Sequence, residues 1–327
     1  MTSHRIAMSF FMTLAVGLAL ATLGADVARG SASYSAVYFV DAQHGWYAGS
    51  DSSNYVVWAS SNGGRTLKRQ SAHAAAGMGD LLLAFASPSA GLWASPIGVR
   101  LTTDGGRRWT YASQPDLGIP RDIGLASAKV GWASGAYGSD GQGGAISRST
   151  DGGLTWRSVK TVHADDTSQF GRLSCITPQR CYVLGSGRLR GLWATSDGGG
   201  HWIKRRLPGS SSSSFASVDF PTGVTGWVVG WNGTVFKTTD GGVTWTKQRS
   251  GTSLREVCFT DASHGWAVGA EGVILHTDDG GEQWSDQSSG TASDLSDVCF
   301  VDRLHGWAVG WGARLGTVDG GKTWKKL

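Results

Sequence analysis

The chain has 327 residues and a formal net charge of +4, from 29 Lys and Arg against 25 Asp and Glu. So small a surplus makes no electrostatic case for nucleic acid, and no nucleic-acid motif accompanies the arginines. Glycine (50 residues) and tryptophan (16) stand out instead, a composition of tight turns and large buried anchors.

Residues 1–33 read as a targeting segment. Arg5 is the sole basic residue before a mainly apolar stretch from Ile6 to Leu23, and small residues follow from Gly24 to Ala32. The pattern is that of a signal peptide. The stretch also approaches the length of a single membrane span, so an uncleaved anchor is the rival reading. Either way, residues 34–327 are expected outside the cytoplasm: periplasmic, secreted or membrane-anchored. No later stretch is long enough to span a bilayer.

From residue 34 onward one motif recurs seven times. Its best copies are Thr239-Asp240-Gly241-Gly242-Val243-Thr244-Trp245 and Val318-Asp319-Gly320-Gly321-Lys322-Thr323-Trp324. The acidic position falls at Asn62 (a worn first copy), Asp104, Asp151, Asp197, Asp240, Asp279 and Asp319, at intervals of 39 to 47 residues. A period near forty marks a propeller or solenoid. The two glycines permit the positive φ of a tight turn. The Asp accepts N–H bonds from its own turn, and the Trp, five residues on, is expected to start the next strand. An acid repeated seven times at equivalent turns serves structure, since one active site needs one acid. A second element precedes each turn: His264-Gly265-Trp266-Ala267-Val268-Gly269 and His305-Gly306-Trp307-Ala308-Val309-Gly310, with variants at His44 to Gly49, Gly131 to Gly135 and Gly226 to Gly230. The three histidines here sit at one repeat position in separate segments and lack zinc-site spacing. No metal and no cofactor is expected.

Each segment resolves into four short strands. In the sixth they are expected at Glu256–Thr260, Trp266–Gly269, Val273–Thr277 and Gln283–Asp286, rich in aromatic and β-branched residues with Gly and Asp between them. The fold class that follows is all-β: a seven-bladed β-propeller of four-stranded antiparallel blades.

Cys175 and Cys181 flank the turn between the first two strands of the fourth segment, and a disulfide there is expected in an oxidising compartment. Cys258 and Cys299 hold equivalent positions in the inner strands of segments six and seven and read as free buried thiols. Charge is uneven along the chain. Seven cations face Asp197 alone between Arg172 and Arg206, while ten acids and no Lys or Arg lie between Glu256 and Asp302. A dipolar disc is expected, and such fields steer charged partners. Arg172, Arg180, Arg188, Arg190, Arg205 and Arg206 are the candidate partner-binding residues.

The run Gly-Trp-Ala-Val-Gly, the loop glycine Gly272, an apolar strand and Thr-x-Asp-Gly-Gly-x-x-Trp together resemble the photosystem II assembly and stability factor propellers. The turn motif is similar to the Asp-box, or bacterial neuraminidase repeat, and the resemblance covers about residues 34–327. It implies a non-enzymatic assembly scaffold that binds a protein or peptide partner, membrane-associated in the photosynthetic members, through an arginine-rich face. Small-molecule and nucleic-acid partners are not implied. Asp-boxes also occur in sialidases, sortilin-like receptors and xyloglucan hydrolases, so two alternatives stand. One is a glycoside hydrolase, for which paired carboxylates are needed; Asp165-Asp166 is the one adjacent loop pair, and the other acids outside the Asp-boxes read as ordinary strand ends. The other is a cell-surface peptide- or glycan-binding module. No residue is assigned as catalytic.

Overall fold

The computed structural model describes residues 33–51, 54–74, 81–113, 117–137, 143–163, 168–209 and 215–327. The expected targeting segment, apart from Ser33, lies outside them, as do Asp165 and Asp166. Seven four-stranded sheets follow one another around a ring, and in each the strands pair in sequence order, antiparallel throughout. In the sixth blade the strands are Leu254–Phe259, Gly265–Gly269, Ile274–Thr277 and Ser285–Gln287. The inner strands line a central channel. The connections between second and third strands lie on one face, together with the blade-to-blade linkers; the Asp-boxes and the first hairpin turns lie on the other. No described helix is long and apolar enough to cross a membrane.

The Gly-Trp pair explains how neighbouring blades join. Trp227 is fully buried in the second strand of blade five and stacks on Phe259 from the inner strand of blade six, ring centroids 3.6 Å apart. Its Nε1–H donates to the Gly280 carbonyl of that blade's Asp-box at 3.1 Å. Trp266 on Phe300, Trp307 on Phe39 and Trp46 on Phe85 repeat the stack, and Tyr182 on Phe220 substitutes for it in blade four. Trp307 and Phe39 close the ring between the last blade and the first. The glycine before each Trp is required by the same ring: a Cβ on Gly265 would stand 2.3 Å from Phe259 of its own blade. Gly lets Phe259 lie flat, and Trp227 of the preceding blade covers its other side.

The Asp-boxes are built on a buried hydroxyl two residues before the acid. At Ser60, Thr102, Ser149, Thr195, Thr238, Thr277 and Thr317 the hydroxyl donates to the Asp or Asn side chain and accepts the N–H of the second glycine. For Thr238 these distances are both 2.8 Å. The acid then accepts the N–H four residues on, as Asp240 does from Thr244 at 2.9 Å. Bonds from that residue (the N–H of His201, the hydroxyls of Thr244 and Thr323) hold Asp197, Asp240 and Asp319 well below the usual carboxylate range. Gly242, at φ +93°, closes the turn. The Trp does not start the outer strand as expected. Trp245 precedes Thr246–Arg249 and folds back so that its Nε1–H reaches the Gly242 carbonyl at 3.2 Å. Trp156 makes the same bond to the Gly153 carbonyl at 2.9 Å.

Thr238→Val keeps the shape of the side chain and removes its hydroxyl. The N–H of Gly242 is left buried without its acceptor, an expected loss of about 1–3 kcal/mol. Urea denaturation measures this; an unchanged midpoint would show that the hydroxyl contributes nothing.

Candidate functional site: the central channel and its tryptophan rim

Inner strands alternate between the blade core and the channel. In Leu295–Phe300, Leu295, Val298 and Phe300 are buried, while Asp297 and Cys299 turn toward the ring's centre. The equivalent positions in other blades bring Asp122, Arg172, Ser217 and Glu256 to the level of Asp297, and Tyr38, Ser174, Asp219 and Cys258 to the level of Cys299. All of these but Ser174 line a cavity of about 610 Å³. This corrects the reading of the non-Asp-box acids as strand ends for three of them: Asp122, Glu256 and Asp297 lie inside strands, Asp219 closes one, and all four line the channel. The channel is wide enough to hold water, which lets charged residues occupy strand positions that an ordinary sheet would fill with apolar ones.

These carboxylates clasp the ring. Asp297 accepts the Val37 N–H of blade one at 2.8 Å across the closure. Asp219 accepts the Phe259 N–H at 2.7 Å, and Asp122 accepts the Leu173 N–H at 2.8 Å. Each thus ties its inner strand to that of the following blade. Glu256 accepts the Ser217 hydroxyl and meets Arg172 at 3.0 Å; Arg172 also lies 3.7 Å from Asp122. Burial pushes Asp122 up to about 6 and Asp219 and Asp297 up to about 7. Nearby Glu256 adds to the rise in all three, while Arg172 opposes it at Asp122 and Asp297. Asp122, Glu256 and Asp297 thus share one guanidinium.

At the channel mouth stands Trp231, which lines the cavity and is 61% exposed. It leads the loop after the second strand of blade five, where Asn232 takes φ +60°. Trp311, in the same loop of blade seven, is 77% exposed. The face therefore presents two large aromatics to solvent.

The six candidate arginines do not form one patch. Arg172 is in the channel. Arg188 and Arg190 belong to the loop after the second strand of blade four, on the face of Trp231 and Trp311; Arg190 donates to the Pro208 carbonyl at 2.9 Å and lies over Phe215. Arg180 and Arg205 are on the opposite, Asp-box face, donating to the carbonyls of Gly223 and Gly241. Arg206 is exposed on the blade's outer side. Residues adjacent along a strand point to opposite sides, so a run of arginines in sequence is divided between surfaces. The acids of segments six and seven are divided likewise: Glu256 and Asp297 in the channel, Asp261 and Asp302 in hairpin turns, Asp279 in an Asp-box. Charge counted along the chain thus does not map onto one side of the disc.

A disulfide joins Cys175 to Cys181 across the first hairpin of blade four. Cys258 and Cys299 are free, with burial pushing the Cys299 thiol up to about 12. The Phe39 N–H donates to the Cys299 sulfur at 3.4 Å. The histidines before Gly-Trp serve their turns. His44, His264 and His305 each pair through Nδ1 with the aspartate three residues earlier, at 2.8–2.9 Å.

A family model described as photosynthesis system II assembly factor YCF48 matches residues 160–255. A photosystem II assembly lipoprotein, Ycf48, of Synechococcus sp. (strain CC9902) is 36% identical over 77 residues. Over these residues the chain is similar to the photosystem II assembly factor family. The aligned stretch spans 23% of this chain and 22% of the Synechococcus protein. Two solved structures extend the likeness of fold over almost the whole propeller. YCF48 bound to D1 peptide superposes with a TM-score of 0.68 at 20% identity, covering 89% of this chain and 93% of that one. YCF48 from Cyanidioschyzon merolae gives 0.68 at 18% identity, covering 89% and 96%. A GH74 xyloglucanase from Xanthomonas campestris shares the fold less closely, with a TM-score of 0.57 at 13% identity, covering 90% of this chain and 66% of the enzyme.

Proposed function

We propose that this propeller is a non-enzymatic, exported scaffold that binds a segment of a protein partner on the face bearing Trp231 and Trp311. The observation that carries the reading is the exposure of these two tryptophans on equivalent loops of one face. Aromatic residues and arginine are enriched where proteins bind, and Trp and Arg dominate binding energy there. Arg188 and Arg190 share the face and supply planar donors for a carboxylate. The Synechococcus relative is named an assembly lipoprotein, and one YCF48 structure holds a D1 peptide. Both support a peptide-like partner in a membrane setting. The apolar segment within residues 1–33 supports export, with the propeller beginning at 34. Arg172, Arg180, Arg205 and Arg206 fall elsewhere and are assigned no direct part in this face.

Tagged propeller is incubated with membranes of the source cell, cross-linked and analysed by mass spectrometry. Cross-links are expected to concentrate on the Trp231 and Trp311 loops, and Trp231→Ser/Trp311→Ser should lose the partner while melting unchanged. In binding kinetics with the captured partner, Arg188→Glu/Arg190→Glu should slow association and weaken its salt dependence. Equal capture by the tryptophan variant would refute the assigned face. Hydrolysis in a screen of xyloglucan and sialyl substrates would refute the non-enzymatic reading.

A further inference from the structure

The chemistry of the channel narrows the class of partner. Charges lining a low-dielectric cavity act more strongly than charges on an open surface. Here Asp122, Asp219, Glu256 and Asp297 face a cavity of about 610 Å³ with Arg172 among them. Arg172 contacts Glu256 and Asp122. The neighbouring Arg255 at the mouth is held by Asp294 at 2.5 Å. Negative charge inside the channel therefore exceeds positive. Asp122, Asp219 and Asp297 are also engaged with backbone N–H groups of the next blade and Glu256 with the Ser217 hydroxyl, so the acids surround the cavity and do not converge as a coordination cage. No group of three metal-ligating side chains occurs among the described residues. This arrangement suits a diffuse organic cation better than a bare metal ion.

We infer that the channel receives a lysine or arginine side chain of the bound segment, through the mouth marked by Trp231. The inference rests on the protein-binding reading above and adds the charge of the anchoring residue. Charge complementarity selects the occupant: an ammonium or guanidinium offers several donors to the carboxylate oxygens. Its aliphatic stem is long enough to leave the backbone outside, with Trp231 packing against the stem and the flanking residues. An acidic side chain would meet four carboxylates and be rejected, so the channel would orient a segment as well as hold it.

Titration calorimetry at pH 8 with three capped pentapeptides tests this. They carry lysine, norleucine or glutamate at the centre, flanked by leucines. The lysine peptide is expected to bind at least about tenfold tighter than the other two, and Glu256→Gln/Asp297→Asn should abolish the preference. Trp231→Ser alters only an exposed side chain. It should weaken the lysine peptide severalfold with the fold intact, which keeps the test decisive if the channel variant is unstable. Equal affinity for lysine and norleucine peptides, or an undiminished preference in the channel variant, would overturn the inference. Tighter binding of the glutamate peptide would overturn it too, while the face marked by the tryptophans would still stand if the cross-linking result held. Loss of that cross-linking pattern, with lysine preference retained, would sink the face assignment instead.

Discussion

Trp227→Ala is expected to lower stability by about 3–5 kcal/mol, the usual cost of truncating a large buried aromatic. The residue has no solvent exposure. Removing it takes away the cover of Phe259 and leaves the Gly280 carbonyl without its indole donor. It opens a void at a joint between two blades, where each blade relies on its neighbour to bury an edge. Propellers gain cooperativity from such joints, since a blade has no closed core of its own. Calorimetry should show a melting temperature lower by on the order of 10 °C. Trp231→Ser, four residues away but exposed, should remain within about 0.5 kcal/mol of the parent. A Trp227→Ala protein melting within about a degree of the parent would show that the stack does not hold the joint.

Arg172→Met is expected to be costly at pH 8 and much milder at pH 5. Breaking a buried ion pair from one side costs about 3–5 kcal/mol when the remaining charge has no relief. The relief here is protonation. Asp122, Asp219 and Asp297 lie at about 6 to 7 in the folded protein, against about 3.9 in an unfolded chain. Between those values the folded protein binds protons that the unfolded chain has released. Stability from these groups is therefore greatest below about pH 4 and declines as pH rises to about 7. The slope is up to about 1.4 kcal/mol per pH unit for each proton. Removing Arg172 raises Asp122 and Asp297 further, because its charge opposes the rise at both. The groups facing it are Asp122, Glu256 and Asp297, and Glu256 in turn couples to Asp219. Comparing variant with parent at each pH cancels the Asp-box carboxylates, whose depressed values act with the opposite sign at lower pH. A melting difference equal at pH 5 and pH 8 would mean that Arg172 does not compensate the channel acids.

The seven-bladed propeller was legible in the sequence because its signals are local. Asp-Gly-Gly turns and Gly-Trp strand starts act within a few residues, and their recurrence gave the number of blades and the place of each hairpin. In blade six the strand boundaries fell within two residues of those observed. The reason for Gly265 before Trp266 was not legible, since it depends on Phe259 across the hairpin and on Trp227 in the preceding blade. The channel was missed for a related reason. Asp122, Glu256 and Asp297 each occupy one strand position per blade, more than thirty residues apart, and only closure of the ring brings them to a common level. One signal was present: a charged residue three places before the buried aromatic or aliphatic end of an otherwise apolar inner strand, as in Asp297-Val298-Cys299-Phe300. The arginine run shows the opposite relation, since Arg188 and Arg205 are near in sequence and lie on opposite faces. Sequence by itself determined the repeat, the turn chemistry and the fold, because those are set by short-range backbone geometry. Tertiary structure alone decided which side chains share the channel and which share a face, because strand alternation and ring closure distribute neighbours in sequence among separate surfaces.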